Sequence, residues 1–416
     1  MRKQQLRIDL VAAARPNFMK VAPLFHVLRE QPWCRLRLVH TGQHYDRNMS
    51  DAFFDDLGLP EPHLHLGVGS GSHAAQTAGV MQAYEAACEK DRPDLIIVVG
   101  DVNSTLACSL VGSKSWIRVA HLEAGLRSGD RRMPEEINRL VTDTLADILW
   151  TPSPDADENL EREGVPAHKI TRVGNIMIDS FERMRERIMA SSERASLDLD
   201  GRSYGVVTLH RPSNVDAREP LEALVRQLAI VSNRLPLVFP VHPRTRKNLE
   251  DFGLWHEFSD IPGVIAIDPL GYVNFMNIVC SARLVITDSG GVQEETTYLD
   301  IPCLTLRTTT ERPITLTEGS NRLVTVRRLA HTVDKIISGQ WTSGRKPALW
   351  DGHAAERVSE DIRRRMLDAE GMHSGSNSAQ ARKGTELGAG RFGSALETSA
   401  FDGPFPSGNG RAMRLA

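Results

Sequence analysis

The chain has 416 residues, of which 41% are hydrophobic and 25% charged, with 50 Lys and Arg against 53 Asp and Glu. That composition supports packed cores in two or three domains and excludes a wholly disordered or collagen-like chain. The formal charge of −3 lacks the basic excess of a dedicated nucleic-acid binder, and no apolar run approaches the ~20 residues of a membrane span.

The N-terminus, MRKQQLRIDLVAAARP, reads as a first strand and not a signal peptide, because its short apolar stretch runs straight into Arg15. Further short apolar runs follow at Arg35–His40, Asp94–Val99, Val119–Leu122, Ile148–Thr151, Gly205–Thr208, Leu237–Val241, Val264–Ile267, Leu284–Thr287 and Cys303–Leu306. Bounded by Gly, Pro or Asp, such runs suit buried parallel strands, and the ~15–25 residues between them suit crossover helices. The rhythm predicts an α/β fold in two blocks, 1–178 and 204–370, joined by a charged linker at 179–203. The second block ends in a charged helix at about 352–369. From 371 to 416 the chain is rich in Gly, Ser and Ala without periodicity, and reads as a disordered tail. Cys34, Cys88, Cys108, Cys280 and Cys303 form no CxxC pair and read as buried free thiols. A soluble cytoplasmic protein with no membrane or nucleic-acid partner is expected.

Two α/β blocks make a crevice, and ligands of such sheets bind beyond the carboxyl ends of the strands. The residues there are informative. The first strand ends at Arg15 and Lys20, two cations at a helix start, which suits an anion. The next ends in a polar turn with His44 and Tyr45. Asp101 follows the strand before GDVNST; it can serve as acid or base, or cap the next helix. The segment HLEAGLRSGDRRMPEEINRL places Glu123 after a strand, then Glu135 and Arg139 as i,i+4 neighbours on a helix opened by Pro134. In the second block His210 follows a strand, in HRPSN, and His242 another, in PVHPRTR. Asp288, Ser289, Gly290 and Gly291 join a strand to a helix, so that backbone N–H groups can approach an anion, with Glu294 and Glu295 one turn on. RTTTERP then supplies Glu311 and Arg312. Neither HExxH nor CxxC is present. The isolated Asp155 and Asp157 pair reads as a helix cap and not a metal site.

Taken in order, ARPNFMKVAPL, TGQHYDRNMS, GDVNST, HLEAGLRSGDRRMPEEINR, VGNIMIDS, HRPSNVD, PVHPRTR, TDSGGVQEE and RTTTERP resemble the non-hydrolysing UDP-N-acetylglucosamine 2-epimerases, over about residues 7 to 330. The resemblance implies two Rossmann-like domains facing across a cleft, as in GT-B glycosyltransferases. It implies interconversion of UDP-GlcNAc and UDP-ManNAc without NAD, metal or other cofactor, and a homodimer. The C2 proton leaves as the C1–O bond to UDP breaks, giving 2-acetamidoglucal and bound UDP; UDP adds back after reprotonation on the other face. By the same resemblance Asp101, Glu123 and Glu135 are the acidic positions, supported by Arg139, and His210 lies near the diphosphate. Arg15 and Lys20 match the first-strand basic positions, and Ser289, Gly290 and Gly291 the diphosphate turn. Glu295 matches the ribose carboxylate and Arg312 a second basic position. Phe275 and the backbone near Leu270 fall in the uracil pocket, while His242 suits a phosphate or a base edge.

There are departures. ARPNFMK stands where many members have TRPEAIK, Leu270 replaces a frequent Gln, and the loop GDRRMPEE is short. These lean towards a subgroup that includes enzymes acting on UDP-2,3-diacetamido-glucuronate, whereas RTTTERP favours plain UDP-GlcNAc. Two other classes stay open on residues alone: a GT-B glycosyltransferase, which would need an acceptor groove, and a non-catalytic nucleotide-sugar sensor.

Overall fold

A computed structural model describes residues 5–13, 15–42 and 57–368, with the side chains of Arg15 and Pro16 left out. Among the described residues two parallel sheets carry the fold. The first holds β1 (Leu6–Ala12), β2 (Cys34–His40), β3 (Leu64–His65), β4 (Leu95–Val99), β5 (Arg118–Leu122), β6 (Ile148–Thr151) and β7 (Ile170–Arg172). Their order is β3-β2-β1-β4-β5-β6-β7. The second holds β8 (Gly205–Thr208), β9 (Leu237–Pro240), β10 (Val264–Ile267), β11 (Leu284–Thr287), β12 (Cys303–Thr305) and β13 (Asn321–Leu323). Their order, β10-β9-β8-β11-β12-β13, repeats the winding of the first.

Burial explains the uninterrupted apolar runs. Every residue of β4, Leu-Ile-Ile-Val-Val, is buried, because crossover helices cover both faces of a parallel sheet and leave no polar side. Around β4 and β5 the first core gathers Val11, Val39, Tyr84, Ile96, Val98, Cys108, Val119 and Leu149. The second gathers Val207, Leu224, Leu228, Leu237, Phe239, Phe258, Ile286, Leu304 and Val333. The two Rossmann-like sheets expected from the sequence are thus present. The short edge strands β3, β7 and β13 were not anticipated. With two or three residues each, they are too short to show a period. The thiols are free; Cys280 is half-buried and the other four are buried.

Two segments behave differently from their place in the sequence. Of residues 179–203, expected as a linker, the first twelve lie in the helix Ile176–Ala190, which buries Ile178, Phe181, Met184 and Ile188. That helix packs against the helices Arg15–Arg29, Tyr272–Val279 and Gly290–Tyr298, and so belongs to both sheets' surroundings. The terminal helix Ala354–Arg363, expected with the second block, packs instead on Arg15–Arg29. Its first turn donates Ala354 N–H (3.2 Å) and Ala355 N–H (2.8 Å) to the Asp179 carboxylate. Trp150 of β6 donates its indole N–H to Asp361 (2.9 Å), and Trp350 donates to the Pro152 carbonyl (3.1 Å). Buried polar groups need partners; here the partners lie about 200 residues apart in the chain, which no local pattern signals. Residues 371–416, read as a tail, lie outside the described residues.

Candidate active site

In each sheet the winding reverses once, between β1 and β4 and between β8 and β11. These reversals open a crevice at the strands' carboxyl ends. The loops after β1, β4 and β5 and those after β8, β11 and β12 carry nearly all the candidate residues.

On the first sheet, β5 is followed directly by Glu123, a non-glycine residue at φ 71°. A glutamate pays for that left-handed backbone, and such strain is kept where the surroundings enforce it. Its Oε2 is paired with the Lys20 ammonium, from the helix after β1. Its Oε1 is buried and accepts no hydrogen bond. Gly100, at φ 69°, closes the same nook: a Cβ there would lie 3.4 Å from Asn17 Nδ2, Glu123 Oε2 and Lys20 Nζ alike. Arg15 begins the neighbouring helix, but its side chain lies outside what is described, as do His44 and Tyr45 altogether.

Asp101 does not cap the helix that follows it. Asn103–Lys114 is preceded by Val102 with no side-chain cap, and Asp101 Oδ2 instead receives Arg139 Nη1 at 2.5 Å. The expected Glu135–Arg139 pair is not formed. Arg139 turns to Glu136, with Nη2 2.6 Å from Oε2. Glu136 is buried and also accepts the N–H groups of Ser128 (3.0 Å) and Gly129 (2.9 Å). Burial alone would push Glu136 up, but the Ser128 N–H, Arg139 and the Gly129 N–H outweigh it and hold the carboxyl low. Spacings of three and four both put a carboxylate beside Arg139, and only burial chooses between them. Glu135, half-buried in the same first turn, forms no bond to a described residue. Asp155 and Asp157 do sit in a helix first turn, but Ser153 is the cap position. Asp157 is bonded to Thr151 and Arg172.

On the second sheet, β11 delivers Asp288, wholly buried. It accepts the backbone N–H groups of His210 (3.1 Å) and Arg211 (2.9 Å) and the Asn214 amide (2.9 Å). His210 Nδ1 lies 3.1 Å from Asp288 Oδ1. Burial raises Asp288, but the His210 contact and the other donors more than offset it and keep the carboxyl below its ordinary range. The imidazole is thereby fixed in direction, with about one-third of its side chain left exposed. His242 is exposed and caps the helix Pro243–Asp251 by accepting Arg244 N–H (3.1 Å), its ring 5.3 Å from that of His210. Partial burial and the neighbouring His210 lower His242, which suits an accepting nitrogen.

Ser289 precedes the helix Gly290–Tyr298 without using its hydroxyl as a cap, which leaves that group and the first N–H groups for an anion. Gly290 is needed for space: a Cβ would lie 2.8 Å from both Arg312 Nη1 and Glu311 Oε1. Gly291 faces open space. Glu295 is buried with Oε1 unpartnered. Burial pushes its carboxyl up to about 8, against a hydroxyl contact from Tyr272 and with help from the Glu294 charge. Leu270 and Phe275 flank Tyr272 in the half-buried segment after β10.

Arg312 joins the two walls. Its Nε lies 2.8 Å from Glu294 Oε1, its Nη1 2.6 Å from Glu311, and its Nη2 3.9 Å from Glu123 Oε1. Burial opposes the guanidinium charge, but Glu294, Glu311 and Glu123 together outweigh it. The acid at the end of β5 and the glycine turn after β11 therefore share one buried cluster. Beside it lies a cavity of about 460 Å³ lined by Arg132 and Met133 of the first half and by Arg211, Ser213, Arg307 and Thr308 of the second.

Two Rossmann-like sheets with acids on one lip and a glycine turn on the other define a GT-B-like nucleotide-sugar protein. The UDP-N-acetylglucosamine 2-epimerase family model matches residues 26–363. A UDP-N-acetylglucosamine 2-epimerase homolog of Methanococcus maripaludis is 41% identical over 321 residues, covering 77% of this chain and 88% of the relative. The UDP-2,3-diacetamido-2,3-dideoxy-D-glucuronate 2-epimerase of Pseudomonas aeruginosa is 39% identical over 364 residues, covering 85% and 99%. The crystal structure of Methanocaldococcus jannaschii UDP-GlcNAc 2-epimerase in complex with UDP-GlcNAc and UDP superposes with a TM-score of 0.78 at 37% identity, covering 86% of this chain and 99% of that one. This chain belongs to the UDP-N-acetylglucosamine 2-epimerase family.

Proposed function

We propose that the protein is a UDP-N-acetylglucosamine 2-epimerase that works by eliminating and re-adding UDP. The observation that carries this is the shared cluster in which Glu123, strained and with one oxygen unbonded, stands 3.9 Å from Arg312 beside the Gly290 turn. The chemistry demands such a pairing. The C2–H bond is barely acidic, since no carbonyl is attached. A carboxylate can take that proton only while the C1–O electrons depart with UDP and a C1=C2 bond forms. Re-addition runs the same electrons backwards after a proton reaches C2 from the opposite face.

Asp101 and Glu123 are the proton-moving carboxylates, with Glu135 completing the acidic lip and Arg139 orienting Asp101. His210, aimed by Asp288, meets the diphosphate, together with Arg15, Lys20, Ser289, Gly290 and Gly291. Arg312 meets the departing oxygens. Glu295 holds the ribose, and Leu270, Phe275 and His242 border the base. The enzyme acts as a homodimer in the cytoplasm; no helix among the described residues is long and apolar enough to cross a membrane.

The decisive experiment is incubation with UDP-GlcNAc in D2O, followed by NMR. A manno product with deuterium at C2 supports the proposal. Sugar transfer that needs an added acceptor would mark a glycosyltransferase, and binding without exchange a sensor. One observation favours a second sugar: in the 460 Å³ cavity, Arg211 Nε and Arg307 Nη1 are buried without acceptors. They could take the carboxylate of a UDP-2,3-diacetamido-glucuronate. A higher kcat/KM on that substrate than on UDP-GlcNAc would select it.

A further inference from the structure

Behind the acidic lip lies a buried histidine that the reaction does not touch. His121, on β5 two residues before Glu123, is wholly buried. Its Nδ1 is 2.6 Å from Asp143 Oδ1, and its Nε2 is 2.8 Å from the Gly100 carbonyl oxygen. A backbone carbonyl can only accept, and so can an ionised carboxylate. Asp143 is itself surrounded by donors: Oδ2 receives Gly125 N–H at 3.0 Å and lies 2.7 Å from Arg127 Nη1. Burial would raise Asp143, but His121 and Arg127 outweigh it and keep it ionised. Both ring nitrogens therefore face acceptors.

The two bonds end at the places that matter. The Gly100 carbonyl belongs to the peptide linking Gly100 to Asp101. Asp143 sits on the Pro134–Leu145 helix that also bears Glu136 and Arg139, the residues that aim Asp101. Gly100, Glu123 and Gly125 all adopt left-handed backbone, at φ 69°, 71° and 81°. A Cβ on Gly125 would come within 2.3 Å of the Ala156 carbonyl oxygen. His121 with Asp143 bonds two of these three positions directly, at the Gly100 carbonyl and the Gly125 N–H, and His121 stands two residues before the third. Arg127, which also pairs with Glu163, and the Lys20–Glu123 pair are the other charges facing this brace.

We propose that His121 is a positioning residue: a buried imidazole, held at both ring nitrogens, that ties the Gly100–Asp101 peptide and the Glu123 turn to the helix carrying Arg139, and so sets the spacing of the two proton-moving carboxylates. The inference rests on the epimerase reading for its kinetic part only; the bracing of the ring stands apart from it. A misplacement of about 1 Å at the chemistry costs on the order of 100-fold.

The test has two arms. In the full-length wild-type protein, NMR should show a His121 ring N–H protected from solvent exchange. A freely exchanging ring N–H overturns the proposal whatever the activity. In the second arm, His121→Gln keeps a donor for the Gly100 carbonyl but sets an acceptor against Asp143. Its kcat should fall about 10–100-fold while KM stays within about threefold. His121→Gln with Asp143→Asn restores a donor and an acceptor at that contact without charge, and should recover kcat to within about fivefold of wild type. An unchanged kcat in His121→Gln, or a double variant no better than the single, overturns the positioning role. Absence of C2 exchange in the wild type with a protected ring N–H would instead count against the epimerase reading.

Discussion

The same strand order is wound twice in this chain, yet the two crevice lips do opposite work. At the first reversal the side chains are charged and strained: Glu123 against Lys20, Asp101 against Arg139, glycines only where the backbone must turn left-handed. At the second, the backbone is the reagent. Asp288 spends its oxygens on the N–H groups of His210 and Arg211, and two glycines bare the N-terminus of a helix. Duplicated topology thus supplies equivalent positions, and the loop residues decide whether a position moves protons or holds an anion.

That contrast can be broken first on the acidic side. Asp101→Asn or Glu123→Gln should lose more than ~100-fold in turnover, while UDP affinity, read by calorimetry, stays within about threefold. Near-wild-type turnover in both variants would remove these acids from the reaction. On the anion side, Gly290→Ala should cost about 1–3 kcal/mol in urea unfolding, because its methyl must displace atoms 2.8 Å away that are fixed in ion pairs. Gly291→Ala, with nothing within 4 Å, should leave stability within about 0.5 kcal/mol yet weaken UDP binding about tenfold by covering the helix N-terminus. Equal effects of the two alanines on folding would blur the distinction between a packing glycine and a ligand glycine.

The smallest effect concerns Glu295, whose carboxyl is raised to about 8 in the folded chain. The native state holds that proton where the unfolded chain, with an ordinary carboxylate near pH 4.3, has released it. The stabilisation is therefore full in acid and is lost as pH rises from about 4.3 to 8. Glu295→Gln should flatten that part of the profile and raise the melting midpoint of the ligand-free protein at pH 9 by about 3 °C, on the order of 1 kcal/mol. Parallel melting curves for both proteins from pH 5 to 9 would show that Glu295 titrates normally.

How much of this was readable before folding follows from range. Central strands such as β4 and β11 announce themselves because burial on both faces demands continuous apolar residues. The short edge strand β13 has no such demand and left no trace. Lys20, Glu123 and the Gly290 turn were legible, since strand ends and glycines mark them. The preference of Arg139 for Glu136 over Glu135 was not, because both spacings permit contact. The brace of His121 on Asp143 and the Gly100 carbonyl was equally invisible, as it depends on three elements meeting.

The return of the terminal helix Ala354–Arg363 to the first sheet has a consequence for any motion of the crevice. The polypeptide crosses between the halves twice, outward through Ile176–Ala190 and back ahead of Trp350. A door hung on two pins swings about one axis and resists twisting. Opening for substrate and shutting over the glucal would then trace a single arc, and one protease nick in either crossing would leave the halves tethered by the other.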